Sequence, residues 1–400
     1  MTANRTIAYT DLPRVVLNRG KEEALKRLHP WVFSGAIARN EGEVQDGDLV
    51  QVVSASGQIL AIGHFHDGSI KVRILTHHPT DIGPEFWESK LRNAYQARQQ
   101  LELPATNCYR LVHGEGDGLP GLVVDFYNGV AVLQAHTIGM HRSRFELTEA
   151  LKKVLGPELK AVYDKSKETL PGSYASGVQN EYLSGEVTLP HRVEEYGRAF
   201  DIDWEKGQKT GFFLDQRENR NLLAHYAAGK KVLNAFCYSG GFSVYGLTAK
   251  AAEVHSVDIS GKAMALCEQN VALNEGEDRH QPITEDVMKW LKTEEEQYDI
   301  VVLDPPAFAK SMSARHRAVQ GYKRLNAEGL KRVKPGGLLF TFSCSQVVDR
   351  ELFYNTIVAA SMEVGRPVRV LHQLTQGPDH PVNIFHPEGS YLKGLVVRVD

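Results

Sequence analysis

The sequence predicts an α/β protein in three parts: an all-β barrel over residues 1–78, an α+β unit over 79–194, and a parallel sheet covered by helices over 195–400. Three observations carry this expectation. The chain has 400 residues, which at about 150 per domain makes two or three domains. Its first part alternates apolar and polar positions between Gly42, Gly47, Gly57, Gly63 and Gly68. From about residue 207, near-continuous Val/Ile/Leu runs alternate with amphipathic stretches, the pattern of parallel strands buried on both faces.

In the barrel, LPRVVLN (12–18), GDLVQVVSASGQILAIGHF (47–65) and SIKVRIL (69–75) read as strands rich in β-branched residues. A helix over 21–28 ends at His29-Pro30, because proline drives the residue before it out of the helical region. From Pro84 the period changes. Phe86, Trp87, Leu91, Tyr95 and Leu101 recur at helical spacing and predict a helix over 84–101. GLPGLVVDFYNGVAVLQAH (118–136) is strand, Asn-Gly turn, strand, hence a hairpin. A helix over 141–155, a strand over 160–164 and a second hairpin reaching Phe200 complete the unit. The last part runs strand 230–236, helix 242–251, strand 253–259, helix 261–274, strand 298–304, helix 317–333, strand 336–343 and helix 349–364.

Composition bounds the function. Hydrophobic content of 42% and charged content of 24% exclude wholesale disorder. No stretch approaches the 18 uninterrupted apolar residues of a membrane span, and MTANRTIAYTDLP lacks a basic-then-apolar signal, so the expected location is cytoplasmic. Cys108, Cys237, Cys267 and Cys344 form no CxxC pair, which argues against a disulfide framework or a zinc ribbon. His380 and His386 have no metal-ligand spacing to a cysteine, so no metal is expected. A net charge of −3 argues at first against a nucleic-acid partner. Net charge is the wrong scale, however. Residues 310–334 hold eight basic side chains against Glu328 alone. Those at 331–334 suit a helix end, whereas Lys310, Arg315 and Arg317 are read as phosphate contacts.

The motifs cluster where parallel strands end. LNAFCYSGGFS (233–243) places a glycine pair between a strand and a helix, where backbone amides can approach a ligand closely. It is not GxGxxG, which disfavours a dinucleotide. The next strand ends in Asp258, where an acid can accept both hydroxyls of a ribose; the competing reading is a helix cap. Asp286 could end a third strand and face an adenine, or be a surface acid. Together these suggest a nucleoside without a diphosphate, which S-adenosylmethionine fits. Asp304-Pro305-Pro306 closes an apolar strand with a rigid shelf suited to a planar base, or else simply terminates it. Cys344 follows 40 residues later, one crossover away, so both occupy carboxyl ends of neighbouring strands. A thiol there could attack C6 of a pyrimidine and make C5 nucleophilic. A buried packing cysteine is the alternative. QKTGFFLDQRENR (208–220) precedes the sheet, and its Gly211-Phe212-Phe213 could shape a cofactor lid. DHPVNIFHPEGSYLKG (379–394) reads as a loop lining the same cleft.

HPWVFSGAI (29–37), GEGDGLPGLVVD (114–125), QKTGFFLDQR, FCYSGGF, VDIS, LDPPAF and FSCS occur in the order found in a known family. The chain resembles, over essentially its whole length, the S-adenosylmethionine-dependent ribosomal RNA cytosine-5 methyltransferases of the large-subunit 23S type. The resemblance implies an N-terminal PUA domain, a central α+β domain and a C-terminal Rossmann-like methyltransferase. It implies Cys344 as nucleophile and Asp304 as the contact to the substrate base. Cofactor contacts would fall on Phe212, Asp215, Arg217, Asn234, Phe236, Ser239, Gly240, Asp258, Asp286 and Asp304. The partner implied is large-subunit ribosomal RNA, with no membrane; a homodimer is compatible with it. One departure stands out: many RNA cytosine-5 enzymes carry a second cysteine after the prolines, and here Ala307 follows. Guanine-N7 enzymes share the glycine turn and DPP but lack the cysteine. Methylation of uracil C5, or a non-catalytic ribosome-assembly role, are the remaining alternatives.

Overall fold

The computed structural model describes residues 6–309 and 311–400, so Lys310, one of the expected phosphate contacts, lies outside the described residues. The chain divides into two compact units. The first comprises Met1–Val193, Ile202–Phe212 and Pro378–Gly389; the second comprises Glu194–Asp201, Phe213–Gly377 and Ser390–Asp400.

The first unit opens with β1 (Arg14–Leu17), a single-turn helix α1 (Glu23–Lys26), β2 (Trp31–Phe33), β3 (Ile37–Glu41), β4 (Leu49–Val53), β5 (Ile59–Phe65) and β6 (Ile70–Thr76). These six strands form one sheet in the order β2-β6-β5-β4-β1-β3. Gly63 lets β5 approach β6, since a Cβ there would lie 2.2 Å from the Arg73 carbonyl oxygen. Then come α2 (Pro84–Gln99), β7 (Cys108–His113), β8 (Leu122–Tyr127), β9 (Val130–Ala135), α3 (Ile138–Arg142), α4 (Arg144–Leu155), β10 (Ala161–Asp164), α5 (Gly172–Ala175) and β11 (Glu181–Ser184). The helix α2 starts on Pro84, whose missing N–H costs nothing at a helix start, and buries Trp87, Leu91, Ala94 and Arg98 along one face. Trp87, Leu91 and Ala94 share a core with Ile62 and Leu75 of the six-stranded sheet and with Leu122, Leu133 and Leu151 of the α+β layer. The six-stranded sheet and the α+β layer are therefore one packed body.

A hairpin, β12 (His191–Glu195) and β13 (Arg198–Ile202), gives Glu194–Asp201 to the second unit. That unit contains α6 (Arg217–Ala227), β14 (Lys231–Ala235), α7 (Gly241–Thr248), β15 (Glu253–Asp258), α8 (Gly261–Ala272), β16 (His280–Thr284), α9 (Val287–Thr293), β17 (Tyr298–Leu303), α10 (Arg315–Arg332), β18 (Val333–Ser343), α11 (Arg350–Val364), β19 (Val368–Leu374) and β20 (Lys393–Val399). The seven-stranded sheet runs β16-β15-β14-β17-β18-β20-β19. Strands β14 to β18 are parallel, as expected, but β20 is antiparallel to both β18 and β19. The expectation of a purely parallel sheet is corrected there. β19 and β20 lie on either side of the Pro/Gly/His-rich stretch that begins at residue 379, whose composition masks strand periodicity. The helices end where their sequences dictate. The Asp349 carboxylate accepts the Leu352 amide at 2.8 Å, capping α11, and Gly365 closes it with φ of 68°. The order in which strands are added reverses between β14 and β17, so the crevice for a ligand opens at the carboxyl ends of those two parallel strands.

Candidate active site

Backbone conformation distinguishes the turn after β14. Phe236, Tyr238 and Gly240 have φ of 62°, 47° and 79°, so two non-glycine residues occupy the left-handed region. Such strain persists only where surrounding structure enforces it, and it gathers at ligand sites. The turn is held by the Cys237 backbone amide donating to the Val257 carbonyl at 3.1 Å and by Asn270 Nδ2 donating to the Ser239 carbonyl at 2.9 Å. A Cβ on Gly240 would sit 2.5 Å from Cys267 Sγ, so that position takes glycine on two counts. Phe213 packs edge-on against Tyr238, with centroids 5.1 Å apart. The segment read as a lid thus touches this turn.

Asp258 ends β15 and accepts the Tyr238 amide (3.1 Å) and the Ser260 amide (2.9 Å). The cap of α8 is Ser260, whose hydroxyl accepts from the Ala263 amide, so the capping reading of Asp258 does not hold. Asp286 is exposed and caps α9 by accepting the Lys289 amide at 2.8 Å. Asn234 is buried and donates to Ser243 Oγ at 2.8 Å; Ser243 in turn meets Ser256, and Ser256 meets His280. The Asn234 side-chain Oδ1 is buried with no hydrogen-bond partner among the described residues. Asp215 accepts from the Tyr391 hydroxyl at 2.7 Å, a contact absent from the sequence reading. Arg217 is fully buried, with its Nε on Glu218. Phe212 is buried in the first unit, while the other cofactor candidates belong to the second. A carboxylate facing backbone amides, an orphan acceptor and a strained glycine turn suit a nucleoside with polar hydroxyls.

The second cluster lies one strand over. Leu303 pairs with Thr341, so Asp304 and Cys344 both leave the carboxyl edge of the sheet from adjacent strands, β17 and β18. The Ser345 hydroxyl donates to the Ala309 carbonyl at 2.7 Å and ties the loop after Cys344 to the loop after Asp304-Pro305-Pro306. Phe308 lies over Tyr322 of α10, centroids 4.6 Å apart. Burial is the main cause that pushes the Tyr322 hydroxyl up to about 12, and the negative charges of Cys344 and Asp304 both add to it. One phenol therefore senses both predicted groups. Cys344 is half-buried, whereas Cys108, Cys237 and Cys267 are buried. Arg315 pairs with Asp349 at 3.0 Å, and Arg317 is exposed at the start of α10.

The sequence reading missed Tyr322, Tyr391 and Lys393. Lys393 Nζ donates to the Ser345 carbonyl at 2.7 Å while the side chain is buried. A lysine inside the apolar run LKGLVV was the available signal.

Comparison with known proteins fits this geometry. Residues 109–382 match a family described as S-adenosylmethionine-dependent methyltransferase, and residues 15–77 match a PUA-like domain. A protein of Escherichia coli O139:H28 named ribosomal RNA large subunit methyltransferase I is 38% identical over 396 residues, spanning 96% of this chain and 99% of its own length. A protein of the same name from Shigella boydii serotype 4 is equally similar. Among solved structures, a Streptococcus mutans protein assigned as a SAM-dependent methyltransferase aligns with a TM-score of 0.82 at 22% identity, covering 96% of this chain and 99% of that one. Another structure, of a protein assigned as a methyltransferase and complexed with SAH, aligns with a TM-score of 0.83 at 22% identity and the same coverage. At that identity the likeness is one of fold.

Proposed function

Because the chain belongs to the S-adenosylmethionine-dependent methyltransferase family, we propose that it methylates C5 of one cytidine in large-subunit ribosomal RNA. The observation that carries this reading is Cys344, half-buried at the carboxyl edge of β18 beside the strand that ends in Asp304. A guanine-N7 or other ring-nitrogen transfer has no use for a thiol in that place. The target nucleotide must leave its stack to reach such an edge.

S-adenosylmethionine, when bound, supplies an electrophilic methyl group. Asp258, Ser239, Gly240 and Asn234 would hold it, with Phe213 and Tyr238 excluding water from one side. Asp304 orients the cytosine on the shelf of Pro305 and Pro306. The Cys344 thiolate forms a bond to C6, and the electron pair released makes C5 nucleophilic. Once C5 carries the methyl, its proton is lost to solvent, the C5–C6 double bond returns and the thiolate leaves. Arg315 and Arg317 would position the RNA through phosphate contacts.

The test is nucleoside mass spectrometry of 23S ribosomal RNA incubated with the protein and labelled cofactor. We expect label in 5-methylcytidine. Label in 7-methylguanosine or 5-methyluridine, or none at all, would overturn the reading.

A further inference from the structure

Lysine is among the residues least often buried, and a buried one ordinarily meets a carboxylate. Lys393 does not. It lies on β20 opposite Ser343 of β18, one residue before Gly394 pairs with Leu374 of β19, and is 4% exposed. Among the described residues no carboxylate lies within salt-bridge distance of its Nζ, whose hydrogen bond goes to the carbonyl of Ser345. The side chain thus starts level with the residue before Cys344 and ends on the residue after it. We propose that Lys393 is the positioning residue that keeps Cys344 in its thiolate form, through the field of a buried ammonium that no carboxylate neutralises. The inference rests on the reading of Cys344 as the nucleophile.

The surroundings support it. Burial pushes the amine down from its ordinary value to about 8, and Cys344 is the foremost group acting to raise it. Two charged groups at the start of α11 also act on it: Arg350 lowers it and Asp349 raises it. The Asp349 carboxylate is engaged by Arg315, and Arg350 donates to the Leu374 carbonyl. At neutral pH the amine is therefore an ammonium. The Cys344 Sγ–H bond breaks, its proton passes to water, and the sulfur keeps the electron pair beside Nζ. When the sulfur–C6 bond later breaks, the same ammonium receives the departing thiolate. That role bears on the second cysteine, which Ala307 replaces here.

The experiment is the pH dependence of Cys344 alkylation by iodoacetamide in the full chain without RNA, read by peptide mass spectrometry. The wild-type midpoint should lie at least one pH unit below the free-thiol value of about 8.5. Lys393→Met should raise that midpoint by one unit or more and slow alkylation at pH 7 about tenfold, a unit of pKa being a factor of ten. Lys393→Arg should retain the low midpoint, which a merely structural role would not predict. A wild-type midpoint at or above about 8.5 overturns the proposal whatever the variants do. So does an unchanged profile in Lys393→Met, or in Lys393→Gln should the Met variant not fold. The outcomes separate from those of the function itself. A shifted thiol profile with label in a nucleoside other than 5-methylcytidine sinks the cytosine reading and leaves the lysine–thiolate pair standing.

Discussion

Each unit buries a lysine, and the two are built differently. In the first unit Lys165 follows β10 and donates to the carbonyls of Trp204 and Gly207, so its ammonium closes the 204–207 turn. The negative charges around it belong to Glu168, Asp203 and Glu205. In the second unit Lys393 has one carbonyl, and the foremost negative neighbour is a thiol. The same first unit also pairs the buried guanidinium of Arg98 with a carboxylate. Arg98 meets Asp117 through two parallel hydrogen bonds of 2.5 and 2.6 Å and donates as well to the carbonyls of Arg110 and Asp379. Donors spread over several acceptors hold chain segments together. An ammonium left with spare donors beside an ionisable sulfur acts on that sulfur's charge.

The comparison can be broken most directly at the sulfur. Cys344→Ala should lower methyl transfer by about 10³-fold or more, as loss of a covalent nucleophile does, while calorimetry finds cofactor binding intact. Full activity in that variant would remove any acid for Lys393 to serve. Next in size is stability. Lys165→Met strands two carbonyls and should cost roughly 2–4 kcal/mol in urea unfolding, at about 1–2 kcal/mol for each buried acceptor left unmade. Lys393→Met strands one carbonyl but removes a buried charge, so it should stay within about 1 kcal/mol of wild type or exceed it. Equal losses would mean that both lysines are structural.

Asp258→Ala isolates the other half of the site. Cofactor affinity should fall about 10- to 100-fold, the worth of hydrogen bonds to a charged acceptor, with the Cys344 alkylation profile unchanged. The smallest effect is a pH slope. Burial pushes both His64 and His136 of the first unit down to about 4. Unfolding lets them take up protons below their ordinary value of 6.5, so stability is intact above pH 6.5 and falls as pH drops toward 4. Each contributes up to about 1.4 kcal/mol per pH unit. Urea midpoints in His64→Gln should be less acid-sensitive than in wild type.

Much of the fold is legible in the sequence because its elements carry their own periodicity. Trp87 and Leu91 mark the buried face of α2, and YDIVVL marks β17 as a strand buried on both sides. What escapes is set by partners far along the chain. The strand β19 is half-exposed at a sheet edge, so VRVLHQL shows little apolar alternation. Lys393 is buried only because β20 inserts between β18 and β19, pairing residues 50 apart. Of the candidate site, Asp304, Cys344 and the glycine turn are legible because strand ends align them at one edge. Tyr391 on Asp215 is not, since no local pattern announces a contact between residues 176 apart.

The left-handed residues of the first turn have a consequence for how this chain can change. Phe236 and Tyr238 each hold a conformation that costs an L-residue roughly 1–2 kcal/mol. A glycine at either place would relax the backbone, and the folded state would gain tolerance to damage elsewhere. The same relaxation would slacken the loop proposed to offer its amides to the nucleoside. Drift toward a sturdier protein and retention of a tight cofactor grip therefore pull these two codons in opposite directions.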